Sequence, residues 1–458
     1  MANEMDRRSH QSDTLSEDFR RKIRFSGSTS SDPISEGPSY FKEVLQRSLS
    51  VNTVVSTGSS FAERMNAARY IKGQKYVCIG RGSCGTVWEQ PGTEIAYKTS
   101  PHHRALWADF HLTNQVHTSF LQVEHLMETA FPGITVPRVP SASHFFTPAS
   151  PWWDAVESKF PSGEVLKGAH AAMQMHRILP LPSNTREALI QLYFDPKKQG
   201  KASADPENID CLVRVYLGAY GGHIGKGTWR NSLRNFELYL DMANDLNLDV
   251  QLITKEMAVS LAIIHWQAKC DGMDAEWVLG SAASKEFLPE IDDDFLNKEM
   301  VDIGPDFKKR GTYLWVLDFD KTRRIQYDST CIPLLLGGVT ANDPYLPNPK
   351  HSPKPLYYLF KKTYLEASDI ILRRNRPTKD VLALPQQFLR AWEDWSKEPE
   401  DIGFELDGWG DNGDDGDDED EDEDDDFSEE EISSEDERSD AETGDQEAFD
   451  DSDDEGSD

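Results

Sequence analysis

The chain has 458 residues and a formal net charge of −33, a length beyond one ordinary domain. The charge is not spread evenly: residues 411–458 hold 29 Asp or Glu against one Arg, which leaves about −5 for everything before them. The 11 Trp, 14 Tyr and 21 Phe fall almost wholly between residues 38 and 404, so a sizeable core is affordable there and a chain disordered throughout is excluded.

The five cysteines, Cys78, Cys84, Cys211, Cys270 and Cys331, are scattered with no C-x-x-C pair, which argues against a disulfide scaffold and a structural zinc site. No zinc is expected. No run approaches the roughly 18 consecutive apolar residues of a membrane span, and the charged start lacks the apolar stretch of a signal peptide. The expectation is an intracellular chain, cytoplasmic or nuclear and not secreted, with neither a membrane nor a direct nucleic-acid partner.

Residues 1–37 are dense in Ser, Arg, Asp and Gly, with too few large apolar side chains to offset the entropy of ordering, and are expected to be a disordered head. Over 38–75, SYFKEVLQRSLSVNTVV and FAERMNAARYIKG repeat apolar residues at three- and four-residue steps, which predicts a helical lead-in. From Tyr76 the pattern becomes strand, turn, strand: KYVCIG, the bend RGSCG, TVWEQ, the turn PGTE, then IAYKTS. A helix is predicted over ALWADFHLTNQVHTSFLQVEHLMETA, and strand-like pieces around VPRVP and AAMQMHRILPLP. Beyond residue 183 the pattern is mainly helical up to 404, including TKEMAVSLAIIHWQAKC and KPLYYLFKKTYLEASDIILRRN, with EWVLG and YLWVLDFDK as extended runs. Strands first and helices last describe an α+β protein of two lobes, 76–182 and 183–404, followed by a disordered acidic tail over 405–458.

Gly80-Arg81-Gly82-Ser83-Cys84-Gly85-Thr86-Val87 is a G-x-G-x-x-G-x-V run between two strands. Glycines at Gly80, Gly82 and Gly85 remove the Cβ atoms that would keep a phosphate from the backbone, and the bend can aim amide donors at its oxygens. A dinucleotide-binding loop would open a helix instead, and TVWEQ reads as strand. The plain alternative is a structural turn. After the PGTE turn comes Lys98, a cation suited to bridging phosphates, or a strand-edge lysine reaching for solvent. Asp318 ends an apolar strand, where a carboxylate is costly unless paired or metal-bound. His265 lies on an apolar helix face and His102 and His103 in a polar bend; none is assigned a site role.

These motifs, in this order, resemble the protein-kinase-like superfamily over residues of about 76–400. More narrowly, LAIIHWQAKCDGMDAEWVLG, MHRILPLP and VLDFDKTRR resemble a group of fungal proteins of unassigned activity, loosely labelled zinc-finger-like, although no zinc finger is read here. The resemblance implies a two-lobed protein-kinase-like fold holding ATP and Mg, with Gly80, Gly82, Gly85, Val87 and Lys98 on the phosphates and MHRILPLP as the hinge. It implies Asp271, in Lys269-Cys270-Asp271, as the catalytic base, with Glu276 five residues on and Asp318 of Asp318-Phe319-Asp320 on the metal; Asp274 competes for the acidic roles. Three positions depart from the family: Gln115 where the helix carboxylate is expected, Lys-Cys before Asp271, and the long interval between Glu276 and Asp318. They point to a degenerate, pseudokinase-type scaffold or regulator, the alternative being a divergent phosphotransferase.

The tail supports a third reading from a different class, a tether for histones or other basic partners; its Ser428, Ser433, Ser434 and Ser439 each precede an acidic residue by three positions. If the tail binds such a partner, removing residues 405–458 abolishes retention of the chain on an immobilised basic protein, and retention of the intact chain falls steeply as salt rises. Equal retention with and without the tail rules this out.

Overall fold

Helix α1, Pro38–Ser48, begins with a proline in its first turn, where the missing N–H has no intrahelical acceptor to lose. The end of the same stretch departs from the helical expectation: Thr53–Ser56 is a strand, β1, paired antiparallel with a strand at residues 309–312. A Thr-Val-Val run favours extended backbone over helix because β-branching restricts χ1. Helix α2, Ser60–Ala68, follows as the apolar spacing predicts. The computed structural model describes residues 37–51, 53–56, 60–82, 84–161, 166–221, 229–283 and 307–397. All belong to the first of two compact units, 1–399; the second, 400–458, lies outside the described residues, as do the expected head up to residue 36 and the acidic tail.

The β-branched and aromatic runs after Tyr76 build a five-stranded antiparallel sheet from β2 (Val77–Gly82), β3 (Gly85–Glu89), β4 (Ile95–Ser100), β5 (Ala142–Phe146) and β6 (Ala171–His176), in the order β2-β3-β4-β6-β5. Between β4 and β5 the chain forms helix α3, His103–Ala130, which buries Leu106, Asp109, Leu112, Thr113, Val116, Phe120, Val123 and Met127. The three- and four-residue spacing is that of one helix face, and Asp109 is the one acid within it. The short helix α4, Trp152–Val156, packs Trp153 against Tyr76, Trp88, Tyr97 and Phe160 on the other side of the sheet.

The second half is less purely helical than its pattern suggests. Strands β7 (Val213–Tyr216), β8 (Phe236–Tyr239), β9 (Glu276–Ala283) and β10 (Lys309–Leu317) join β1 in a sheet of order β1-β10-β9-β7-β8, in which β9 and β10 pair along eight residues and β7 and β8 run parallel. Around it lie α5 (Ser183–Tyr193), α6 (Gln199–Ala204), α7 (Leu240–Asp245), α8 (Val250–Trp266), α9 (Cys331–Ala341), α10 (Lys354–Arg373) and α11 (Lys379–Trp395). The architecture is mixed α+β, with two sheets and eleven α-helices among the described residues. No helix among them is long and apolar enough to cross a membrane.

The main core forms around α8, buried on nearly every side, against α3, α10 and α11. At the end of α8, His265 Nδ1 and Trp266 Nε1 both meet Tyr364 Oη at 2.9 Å, and burial pushes the His265 imidazole down to about 3, so it stays neutral in the core. Glu256 on the same helix accepts a 3.0 Å hydrogen bond from the Thr135 amide, tying the end of the α3 connection to α8. Burial raises the Glu256 carboxyl to about 8, against the Thr135 bond, which favours the anion; Asp249 and Glu128 raise it further.

The folded chain therefore binds a proton at Glu256 that the unfolded chain, with an ordinary carboxyl, releases above about 4.5. Stability falls as pH rises through this window up to about 8. Glu256→Gln, isosteric and uncharged, should flatten that part of the stability profile in urea titrations at pH 5, 6.5 and 8, whereas a profile unchanged by the substitution contradicts the assignment.

Candidate functional site

The glycine-rich hairpin closes in tight register, Gly80 opposite Val87, Arg81 opposite Thr86 and Gly82 opposite Gly85, with Ser83 outside the described residues. The three glycines are held for different reasons. Gly85 has φ +138°, and a Cβ there would stand 2.3 Å from the Thr99 carbonyl oxygen, so β3 could not lie against β4. A Cβ on Gly80 would make only ordinary contact with Val87, and one on Gly82 would meet nothing within 4 Å. The fold requires Gly85; it leaves the backbone bare at Gly80 and Gly82 without needing to.

Lys98 stands on β4 opposite Val87 of β3 and Met173 of β6. Its Nζ lies 2.7 Å from Asp109 Oδ2 and 3.5 Å from Asp318 Oδ1. Asp109 is buried, and its other oxygen accepts a 3.0 Å bond from Thr113 Oγ1, one turn along α3. Burial works against the Lys98 charge, yet Asp109 and then Asp318 outweigh it and hold the ammonium above the usual lysine range.

Asp318 follows β10 with φ +65°, a left-handed turn that points the chain back toward the carboxylates. Burial raises its carboxyl to about 7; Lys98 opposes the shift, and Asp320, Asp109 and Glu276 add to it. Asp274, Asp318 and Asp320 each bring an oxygen within 4.8 Å of the others. Both Asp320 oxygens are buried without a hydrogen-bond partner. Carboxylate oxygens buried without hydrogen bonds are costly in a protein interior, and an all-oxygen set is the donor chemistry of a hard divalent cation. The residues therefore fit such an ion. Asp274 Oδ2 also pairs with Lys321 at 2.9 Å, and the hairpin's Cys84 is within electrostatic reach of that lysine.

Other expected site residues stand elsewhere. Glu276, at the start of β9, is outside this group and bonds Arg214 at 2.6 Å. Asp271 is fully buried, with Oδ1 accepting from the amides of Arg323 (2.8 Å) and Met273 (3.1 Å) and Oδ2 from Arg323 Nε (2.8 Å). It braces the 271–275 loop against the segment after Asp318. Gln115 donates to the Ala268 carbonyl at 2.6 Å and accepts from Arg324 Nε at 3.1 Å, also serving that loop. The helix carboxylate that meets Lys98 is Asp109, and its signal was in the sequence: an acid on the buried stripe of α3. In the expected hinge, Leu179 has both its amide and its carbonyl bonded to Ser281 of β9.

Comparison with protein families finds a match over residues 314–376 to a family of unknown function described as "Zinc finger protein". No curated protein and no solved structure matches the chain. The matched span covers the end of β10, the Asp318 turn, α9 and α10, and contains one cysteine and one histidine, Cys331 and His351. That is too few for a four-coordinate zinc site of its own, and Cys331 is buried with its thiol pushed up to about 11. Among the described residues the one set of three or more grouped donors is the carboxylate set above.

Gly85→Ala should lower unfolding stability by about 2 kcal/mol or more through positive φ and overpacking, while Gly82→Ala should leave it within about 0.5 kcal/mol. Equal losses in denaturant melts would show that the bare backbone at Gly82 is a folding requirement after all.

Proposed function

We propose that residues 76–397 form a degenerate protein-kinase-like domain that binds a nucleoside triphosphate with magnesium and acts as a scaffold or regulator rather than an efficient phosphotransferase. The observation that carries this reading is the convergence of Lys98, Asp109 and Asp318 at one point, with a glycine-rich hairpin on one side and Asp274 and Asp320 on the other. In the kinase family the strand lysine that touches phosphates is held by a carboxylate on the following helix, and the aspartate after the apolar strand holds metal; Asp109 and Asp318 suit those two roles.

The chemistry of binding follows from the charges. Four carboxylates, Asp109, Asp274, Asp318 and Asp320, near two ammoniums, Lys98 and Lys321, leave the site net negative, and burial has already raised the Asp318 carboxyl to about 7. A divalent cation held by Asp318, Asp320 and Asp274 supplies the missing positive charge and favours the ionised acids, after which phosphate oxygens can be tolerated beside them. Lys98 would reach the phosphates while keeping Asp109, and the bare backbone at Gly80 and Gly82 would line the approach. What supports binding over transfer is Asp271, whose carboxylate oxygens are both engaged by Arg323 and Met273 and are not presented to a substrate hydroxyl.

For the full chain, ATP with magnesium at about 100 times its dissociation constant should stabilise the fold by about 2.7 kcal/mol, seen as a rise of several degrees in melting temperature. ATP without a divalent cation should give little, and Lys98→Met or Asp318→Asn should lose the rise. No rise in the wild-type chain at millimolar ATP and magnesium overturns the reading.

A further inference from the structure

At the other end of β10 lies a second concentration of charge, of the opposite sign. Arg310, near the start of that strand, is buried, and its Nη1 donates to the Pro180 carbonyl at 2.8 Å and to Ser281 Oγ at 3.2 Å. Its Nε and Nη2 are buried and have no hydrogen-bond partner. These two nitrogens form one edge of the guanidinium, the edge that takes two oxygens of a carboxylate or phosphate side by side.

Arg310 is not alone there. The guanidinium carbons of Arg310, Arg64 and Arg177 lie 4.8, 5.4 and 5.5 Å from the centre of the buried Phe61 ring. Arg186 completes the group from α5, its Nη1 on the Asn208 carbonyl at 3.1 Å. Against these four cations stand two acids. Glu89 is buried between Arg64, at 2.7 Å, and Arg177, and Arg177 also pairs with Asp210. Glu187, beside Arg186 in sequence, turns to Gln191 and Ser203, both at 2.7 Å. The Nε atoms of Arg177 and Arg186 are, like that of Arg310, buried and unpartnered. Burial first, then Arg186 and Arg177, push the Arg310 guanidinium down to about 9, which places it in an environment short of negative charge.

We propose that this arginine cluster at the junction of the two sheets is a binding site for a small oxyanion, a phosphate or carboxylate group seated on the Nε and Nη2 edge of Arg310 with Arg186 and Arg177 beside it. The site is separate from the one around Lys98 and does not rest on the reading given to it. Its members come from α2, the segment after β6, α5 and β10, so an anion there would join the connection between the sheets to the start of β10. Arg64, with 38% of its side chain accessible against 1% for Arg177, marks the side from which a small ion would enter.

The test uses the full chain and inorganic phosphate, with acetate as the carboxylate arm, at constant ionic strength set by sodium chloride. Melting temperature is expected to rise saturably with low-millimolar phosphate or acetate; whichever gives the tighter curve identifies the oxyanion. The non-specific stabilisation that phosphate gives any protein is unsaturated and common to all variants. Arg310→Gln and Arg186→Gln should each weaken the saturable phase at least about tenfold, the worth of one charge-assisted pair, and Lys98→Met should leave it intact. If Arg310→Gln does not fold, Arg186→Gln decides. A wild-type response without saturation, a saturable phase unchanged in Arg186→Gln, or its loss in Lys98→Met each overturns the proposal.

Discussion

The pairing of Lys98 with Asp109 and Asp318 is the constraint on which the candidate site depends. Lys98 has only 12% of its side chain accessible and Asp109 3%. Removing ions from water costs several kcal/mol each, so neither could be held there alone, and breaking such a pair commonly costs about 3–5 kcal/mol because a charge is left uncompensated. Strand β4, the helix α3 that follows it and, 220 residues on from Lys98, the turn after β10 are thereby required to meet. The hairpin β2–β3 comes with them, since Gly85 lets β3 lie against the strand that carries Lys98.

How much of this was legible depended on whether a feature is local. Gly80, Gly82, Gly85 and Lys98 are separated by short turns with strong residue preferences, and the spacing alone puts them on adjacent strands. Asp318 stands out because it ends a run that is otherwise apolar. A fixed spacing from Lys98 lands on Gln115, whereas the buried stripe of α3 contains one acid, Asp109, and it is the acid of that helix that meets Lys98. Asp274 and Glu276 are separable only in three dimensions. Glu276 is in register with Leu317 on β10 and faces Arg214, whereas Asp274 has φ +66° in the loop before it and turns toward Asp318. Strands β1, β7 and β8 are four residues each, too short for an alternating pattern to distinguish them from loops, and their pairing is decided by β9 and β10.

Asp271 is held as part of the scaffold of its loop. Its surroundings satisfy both carboxylate oxygens with amides and a guanidinium, which fixes their direction. A group held in that way is a structural brace, its oxygens occupied by bonds that the loop needs. Gln115 supports the same loop from α3. Asp271 and Gln115 together lock the segment between α8 and β9.

Strand β10 connects the two charge clusters. It has Arg310 near its start and Asp318 just past its end, separated by eight residues of extended chain, roughly 27 Å at the usual rise of a strand. At that distance, and with a Debye length of about 8 Å in physiological salt, the direct field of one cluster at the other is small. Any influence of one site on the other must therefore pass through the position of the strand itself. The means exist in the ladder: β10 is bonded to β9 along eight pairs, and β9 holds Ser281, which meets Leu179, Pro180 and Arg310 at one end, and Glu276, next to the carboxylate group, at the other. A shift of the β9–β10 pair that loosened Arg310 from Pro180 would also move Asp318 relative to Lys98, whose position is set by the other sheet. The two ends are mechanically linked while electrostatically separate, and this follows from the placement of two opposite charges at the two ends of one strand.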